Sequence, residues 1–130
     1  MSISINITSV AVKDQQVAHD FYTQKLGFVV KHDIPMGEYR WLTLVAPNHL
    51  EGTELLLEPM AFEPAKVYQA ALKDAGIPCT SFEVDNMDAE VARLTELGVS
   101  FQGDVQNTGD ALIATLDDGC GNWIMLTQTL

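Results

Sequence analysis

DQQVAHDFYTQKLGF (residues 14–28) and NMDAEVARLTELGV (86–99) follow one plan. Each opens on a short polar residue suited to cap a helix: Asp14 in the first, Asp85 or Asn86 in the second. Each then sets apolar residues on one helical face, Val17, Phe21 and Leu26 in the first, Met87, Val91 and Leu94 in the second. Each closes on Leu-Gly, with Gly27 and Gly98 where a helix commonly turns left-handed to stop. The two Leu-Gly pairs lie 71 residues apart, and Gly52 and Gly121, each ahead of a final strand, lie 69 apart. An internal repeat of this kind organises the whole chain.

Working outward, Ile3, Ile5 and Ile7 alternate with polar residues and Val10 and Val12 take the opposite parity, which predicts a strand before the first helix. Strands are expected at Phe28–Ile34, Tyr39–Ala46 and Thr53–Glu58, parted by turn residues Pro35, Gly37, Pro47, Asn48 and Gly52. In the second half, Cys79–Asp85 reads as the leading strand. Phe101–Val105, Ala111–Leu116 and Trp123–Thr127 follow the helix. Between the halves, PMAFEP (59–64) is a linker whose Pro64 opens a helix, striped by Val67, Tyr68, Ala71, Leu72 and Ala75 and ended by Gly76 and Pro78. The expected fold is therefore α+β: one domain over 1–130, built of two tandem β-α-β-β-β modules, 1–60 and 77–130, around a linker helix, 61–76. One helix covers one face of a four-stranded sheet. Two such modules are expected to turn their open faces toward each other as an incomplete barrel around a pocket.

Composition narrows the function. At 130 residues and 47% hydrophobic, the chain has enough apolar surface for a core and is not disordered. No apolar run approaches the ~18 residues of a membrane span. The N-terminus MSISINITSV lacks the basic start of a signal peptide, so a cytoplasmic protein is expected. A net charge of −11 with seven scattered bases argues against nucleic acid. The same charge either keeps the protein soluble or draws in cationic ligands. Cys79 and Cys120 form neither a disulfide framework nor a CxxC pair, and Cys79 reads as a small buried hydrophobe. No G-x-S-x-G, P-loop or H-E-x-x-H occurs, and His49-x-Glu51 lacks the second cysteine a zinc deaminase needs after Pro78-Cys79. His19, His32 and His49 read as solvated surface.

Val12-x-Asp14, Phe21-Tyr22, Leu26-Gly27-Phe28, Arg40-Trp41-Leu42-Thr43, Glu54-Leu55-Leu56-Leu57-Glu58-Pro59 and Gly121-Asn122 together resemble the vicinal oxygen chelate superfamily of glyoxalase I, bleomycin-resistance proteins and extradiol dioxygenases. Phe82–Asn86 running into Leu97-Gly98 is similar as well. The resemblance implies paired modules around a pocket, commonly in a homodimer. It also implies four metal-ligand positions, one on the first and one on the last strand of each module, usually His or Gln, Glu, His and Glu. In this chain they fall on Ile7, Leu56, Cys79 and Met125. Ile and Leu have no lone pair to give, so no metal and no cofactor are expected there.

If those four positions face the pocket, strand alternation brings Ser9, Glu54, Glu58, Ser81, Glu83 and Trp123 in with them. Arg40 and Trp41 fall on opposite faces of their strand, and parity alone leaves open which is inside. The first expectation is a metal-free protein that binds or sequesters a small organic molecule, with a cationic aromatic one favoured by the charge. The alternatives are an enzyme of the same superfamily using Glu58 or Glu83 as general base, or a lyase or dioxygenase with an unrecognised metal site. Whether it is an enzyme stays open at this point.

Overall fold

The computed structural model describes residues 2–130. Its two helix starts are built alike. Asp14 lies in extended backbone (φ −144°, ψ 118°) and its carboxylate accepts from the N–H groups of Gln16 and Val17, at 2.9 and 3.0 Å. Asn86 (φ −141°, ψ 100°) accepts from the N–H of Ala89 at 3.1 Å, so Asn86 and not Asp85 is the cap. Helix α1, Gln15–Asp20, widens into a π-helical turn over Phe21–Lys25. Helix α3 covers Met87–Glu96. Gly27 and Gly98 end the two at φ 87° and 86°, a region that costs glycine little and other residues more. After Gly98 the Val99 N–H returns to the Leu94 carbonyl, five residues back, whereas Phe28 returns to Tyr22, six back. The π turn accounts for the extra residue.

The strands are β1 (Ile7–Val12), β2 (Val29–Met36), β3 (Tyr39–Val45), β4 (Glu54–Pro59), β5 (Thr80–Glu83), β6 (Gln106–Asn107), β7 (Ala111–Asp117) and β8 (Trp123–Thr129). They form two four-stranded sheets of matching order, β1-β4-β3-β2 and β5-β8-β7-β6. In each, the outermost pair, β1 with β4 and β5 with β8, is parallel and the remaining pairs are antiparallel. The fold is α+β and neither sheet closes into a barrel. Backbone proximity divides the chain into two compact units, the first ending at Lys66 and the second beginning at Val67.

In the first unit α1 packs on β3 and β4, whose Leu42, Leu44, Leu55 and Leu57 are buried, as are Val10 and Val12 of β1 on the same face. In the second, α3 packs on β7 and β8 over Ala114, Leu116, Ile124 and Leu126. Helix α2 (Glu63–Asp74) puts its later turns against the β7–β8 turn of the second unit. There the buried Gln69 amide donates to the Cys120 carbonyl at 3.3 Å and to Asn122 Oδ1 at 3.2 Å.

Three expectations about strands are corrected. The strand foreseen at Phe101–Val105 is instead β6 at Gln106–Asn107. Phe101 makes only an isolated bridge to Leu116, because Gly103 (φ 76°) breaks the extended backbone just after it. The first strand begins at Ile7, and Ile3 and Ile5 are exposed ahead of it. Cys79 is exposed, not a buried strand residue: it stands just before β5, its N–H donating to the Trp123 carbonyl.

Candidate functional site

Helices α1 and α3 each cover one face of their sheet, and the opposite face of each sheet is free of that helix. In the first unit, β1 and β4 pair Ile7 with Glu54, Ser9 with Leu56 and Ala11 with Glu58. Paired residues share a face. Thr43 of β3 pairs with Leu56, and β2 adds His32 opposite Thr43 and Ile34 opposite Trp41. Ile7, Ser9, Glu54, Leu56 and Glu58 therefore stand on one face, away from α1, and Trp41 stands there with them. Leu56 and Thr43 are buried at its centre; Trp41 (37% exposed), Ile34 and Met36 are accessible at its edge. Glu54 is the polar hub. Its Oε1 accepts from Thr43 Oγ1 at 2.7 Å, and His32 Nε2 lies 3.7 Å from the same oxygen.

Arg40 points the other way, toward α1. Its Nε and one terminal nitrogen fork onto the two Asp33 oxygens at 3.0 and 2.7 Å, and the other donates to Gln16 Oε1 at 2.7 Å. That fork, with the guanidinium charge, holds the Asp33 carboxyl below the ordinary range. The question left open by parity is thus answered by register: Trp41 shares the face of Ile7 and Leu56, and Arg40 does not.

On the same side as Arg40 lies a cleft of about 370 Å³, lined among others by Lys13, Gln16, Glu38, Tyr39 and Met60. Sequence reasoning missed it. Its only signal was that the polar start of α1 and the Glu38-Tyr39-Arg40 start of β3 are both rich in side chains too long to be buried.

In the second unit, Ser81 pairs with Met125 and Glu83 with Thr127, while Met125 faces Thr115 and Trp123 faces Asp117 on β7. Ser81, Glu83, Trp123 and Met125 share the face away from α3, with Cys79 beside Trp123 at the head of β5. Ser81 and Thr127 hydroxyls are 2.7 Å apart, and Thr129 Oγ1 donates to Glu83 Oε1 at 3.4 Å. Solvent reaches both Glu58 and Glu83. Solvent touches Cys79 too, yet the protein packed around its sulfur, and secondarily the Asp118 carboxylate, push the thiol up to about 11. Trp123 is engaged within the chain: its Nε1–H donates to the Lys73 carbonyl at 3.0 Å, and Lys73 Nζ sits 3.8 Å from the ring centroid.

The positions that hold metal in the resembled superfamily do not fit one here. Ile7 and Leu56 offer hydrocarbon, Cys79 carries a firmly protonated thiol, and Met125 offers a weak thioether. Among the described residues, no three of His, Cys, Asp and Glu come together to hold an ion.

Comparison with known proteins bears on this geometry. The chain is 47% identical over 126 residues to the Bacillus subtilis (strain 168) uncharacterized protein YurT, covering 97% of this chain and 99% of that one. Among solved structures it resembles UcmS2 at 30% identity and TM-score 0.83, covering 98% of each chain. It also resembles TnmS3, an antibiotic binding protein from Streptomyces sp. CB03234, at 30% identity and TM-score 0.76, covering 100% of this chain and 99% of that one. The model of the Glyoxalase/Bleomycin resistance protein/Dioxygenase superfamily matches residues 4–126. With the duplicated β-α-β-β-β order and nearly the full length matched, the chain belongs to the glyoxalase/bleomycin resistance protein/dioxygenase superfamily.

Proposed function

We propose that this protein binds a small organic molecule with an aromatic or apolar body, without a metal, on the open faces of its sheets. The observation that carries the proposal is the first sheet's face, where Trp41 and Ile34 stand at one end, a hydrogen-bonded Glu54 stands beside Thr43 and His32 toward the other, and Ile7 and Leu56 replace metal donors with hydrocarbon. An apolar floor with a few placed polar groups suits an organic ligand. The likeness to TnmS3, an antibiotic binding protein, supports the same direction. On the second sheet Ser81, Glu83, Met125 and Cys79 offer a comparable mixture. Glu54, Glu58 and Glu83, in a chain of net charge −11, favour a cationic or zwitterionic ligand over an anion.

The protein acts in the cytoplasm as a homodimer, in which a partner copy covers exposed apolar side chains such as Phe62 and Tyr68. A sedimentation mass near 14.3 kDa at micromolar concentration refutes the dimer.

Tryptophan fluorescence titrations with matched cationic, neutral and anionic aromatic compounds, at low and high salt, test the binding reading. Saturable binding that weakens in Trp41→Phe and Glu54→Gln variants is the expected result. Tighter binding of the anion refutes the charge preference, and absence of saturable binding to any aromatic compound refutes the function. Incubating the bound compound with the protein and finding a new product would turn the reading to an enzyme.

A further inference from the structure

We infer that Trp123 and Asp117 form a recognition subsite for an organic ammonium group, and that Lys73 of α2 fills this subsite from within the chain. Trp123 and Asp117 are cross-strand partners on the open face of the second sheet. Lys73 Nζ stands 3.8 Å from the Trp123 ring centroid, 3.0 Å from Asp117 Oδ1 and 3.5 Å from the Asn122 carbonyl. An aromatic face, a carboxylate and a carbonyl around one cation are the groups with which proteins recognise alkylammonium ligands. The indole N–H is tied to the Lys73 backbone carbonyl. That bond fixes the plane of the ring and survives any change of the Lys73 side chain. Lys73 and Asp117 side chains are only partly covered, at 26% and 38% exposure, so a ligand in solution can reach the same place.

The inference rests on the reading of the open faces as ligand-binding and adds to it how charge is selected. An occupant tethered within the chain competes at an effective concentration of millimolar or above. The unaltered protein should therefore hold small ammonium compounds weakly at Trp123. Loss of the Lys73 charge should strengthen that binding by about tenfold.

In a Trp41→Phe background, Trp123 is the sole indole, and its fluorescence reports this subsite alone. Benzyltrimethylammonium is the probe and benzyl alcohol the neutral control. Lys73→Ala and Lys73→Met, the second keeping the aliphatic stem, are each expected to bind the ammonium about tenfold more tightly, with benzyl alcohol unchanged. Asp117→Asn added to either should abolish the gain. In the unaltered protein, tetramethylammonium chloride should shift the Trp123 indole N–H resonance where sodium chloride of equal ionic strength does not. Unchanged ammonium affinity in the Lys73 variants, or an unmoved resonance, overturns the inference. A Trp123→Phe protein, read through Trp41 with neutral aromatic compounds, keeps the two readings apart. Binding there without an ammonium effect at Trp123 refutes the subsite alone, and binding at neither refutes both.

Discussion

Gln15 should prove one of the most costly polar residues to replace in the first unit. Its side chain is buried at 9% exposure and makes three hydrogen bonds to the sheet backbone. Nε2 donates to the carbonyls of Arg40 and Leu57, both at 2.8 Å, and Oε1 accepts from the Arg40 N–H at 3.0 Å. The β3–β4 ladder pairs only Thr43 with Leu56 and Leu44 with Leu55, so toward Arg40 and Leu57 the Gln15 amide carries the link between the two strands. Gln15→Leu preserves volume and strips partners from three backbone groups. An unsatisfied buried group costs about 1–3 kcal/mol. The Leu57 carbonyl is buried and bears that in full, while water can partly reach the two Arg40 groups. Freeing the glutamine rotamers returns about 1 kcal/mol. The net expectation is a loss of about 2–4 kcal/mol, a large share of the 5–15 kcal/mol typical of a domain. Gln15→Glu should be worse than Gln15→Leu at neutral pH, although it is nearer in shape, because it sets a carboxylate against two carbonyls. Urea unfolding followed through Trp41, in a Trp123→Phe background, reads the first unit directly. A loss below about 1 kcal/mol, or a Glu variant milder than Leu, refutes the account of Gln15 as the bridge between β3 and β4.

Other outcomes follow from the same contacts. Asp33 has its pKa lowered in the folded protein by the Arg40 hydrogen bonds, so it contributes stability above its unfolded value, near 3.9, and loses it as pH falls through the lower folded value. The stability gap between native protein and Arg40→Met should thus be open at neutral pH and close in acid melts below about pH 4. Cys79, with its thiol near 11, should react with iodoacetamide at pH 8 about two orders of magnitude more slowly than a free thiol, the rate still climbing toward pH 11. Labelling at the free-thiol rate contradicts the crowding described for its sulfur. Gly121→Ala should destabilise the second unit by about 2 kcal/mol or more, since φ is 101° and an added Cβ would meet Gln69 Oε1 at 2.6 Å; thermal melts check it. Elemental analysis after dialysis should find no stoichiometric zinc, nickel, iron or manganese, and one tightly held ion per subunit would show that ligands other than Ile7, Leu56, Cys79 and Met125 matter.

The repeat was legible because its signals are local. A capping side chain, a helical stripe and a terminal glycine are each decided within about four residues, so Asp14, the Asp85-Asn86 pair, Gly27 and Gly98 announced both helices. What failed was set by contacts remote in sequence or by one backbone angle. Phe101–Val105 looked like a strand by composition, yet Gly103 takes a left-handed conformation that no alternation pattern reveals. Gln15, one polar residue in a polar helical start, gave no hint that it would be buried between two strands. The Lys73–Trp123 contact joins residues 50 apart, across a turn whose path the sequence leaves free.

The candidate site shows the same division at finer grain. Strand alternation has a period of two, so Ile7 with Ser9, Glu54 with Leu56 and Glu58, and Ser81 with Glu83 could be assigned to shared faces without knowing any pairing. It could not choose a face for β3, because Trp41-Leu42-Thr43-Leu44-Val45 is apolar or nearly so at every position. Only the Thr43–Leu56 pairing settles that Trp41 belongs with Leu56. Alternation also misleads at β2, where a bulge lies between Val30, opposite Leu44, and His32, opposite Thr43. Without that extra residue, Val30 and His32 would share the helix-covered face. With it, His32 crosses to the open face and comes within 3.7 Å of Glu54. The histidine read as solvated surface is therefore a neighbour of the one carboxylate that Thr43 already anchors. A single inserted residue moved it there, and single-residue shifts of this kind are what a strand pattern is least able to record.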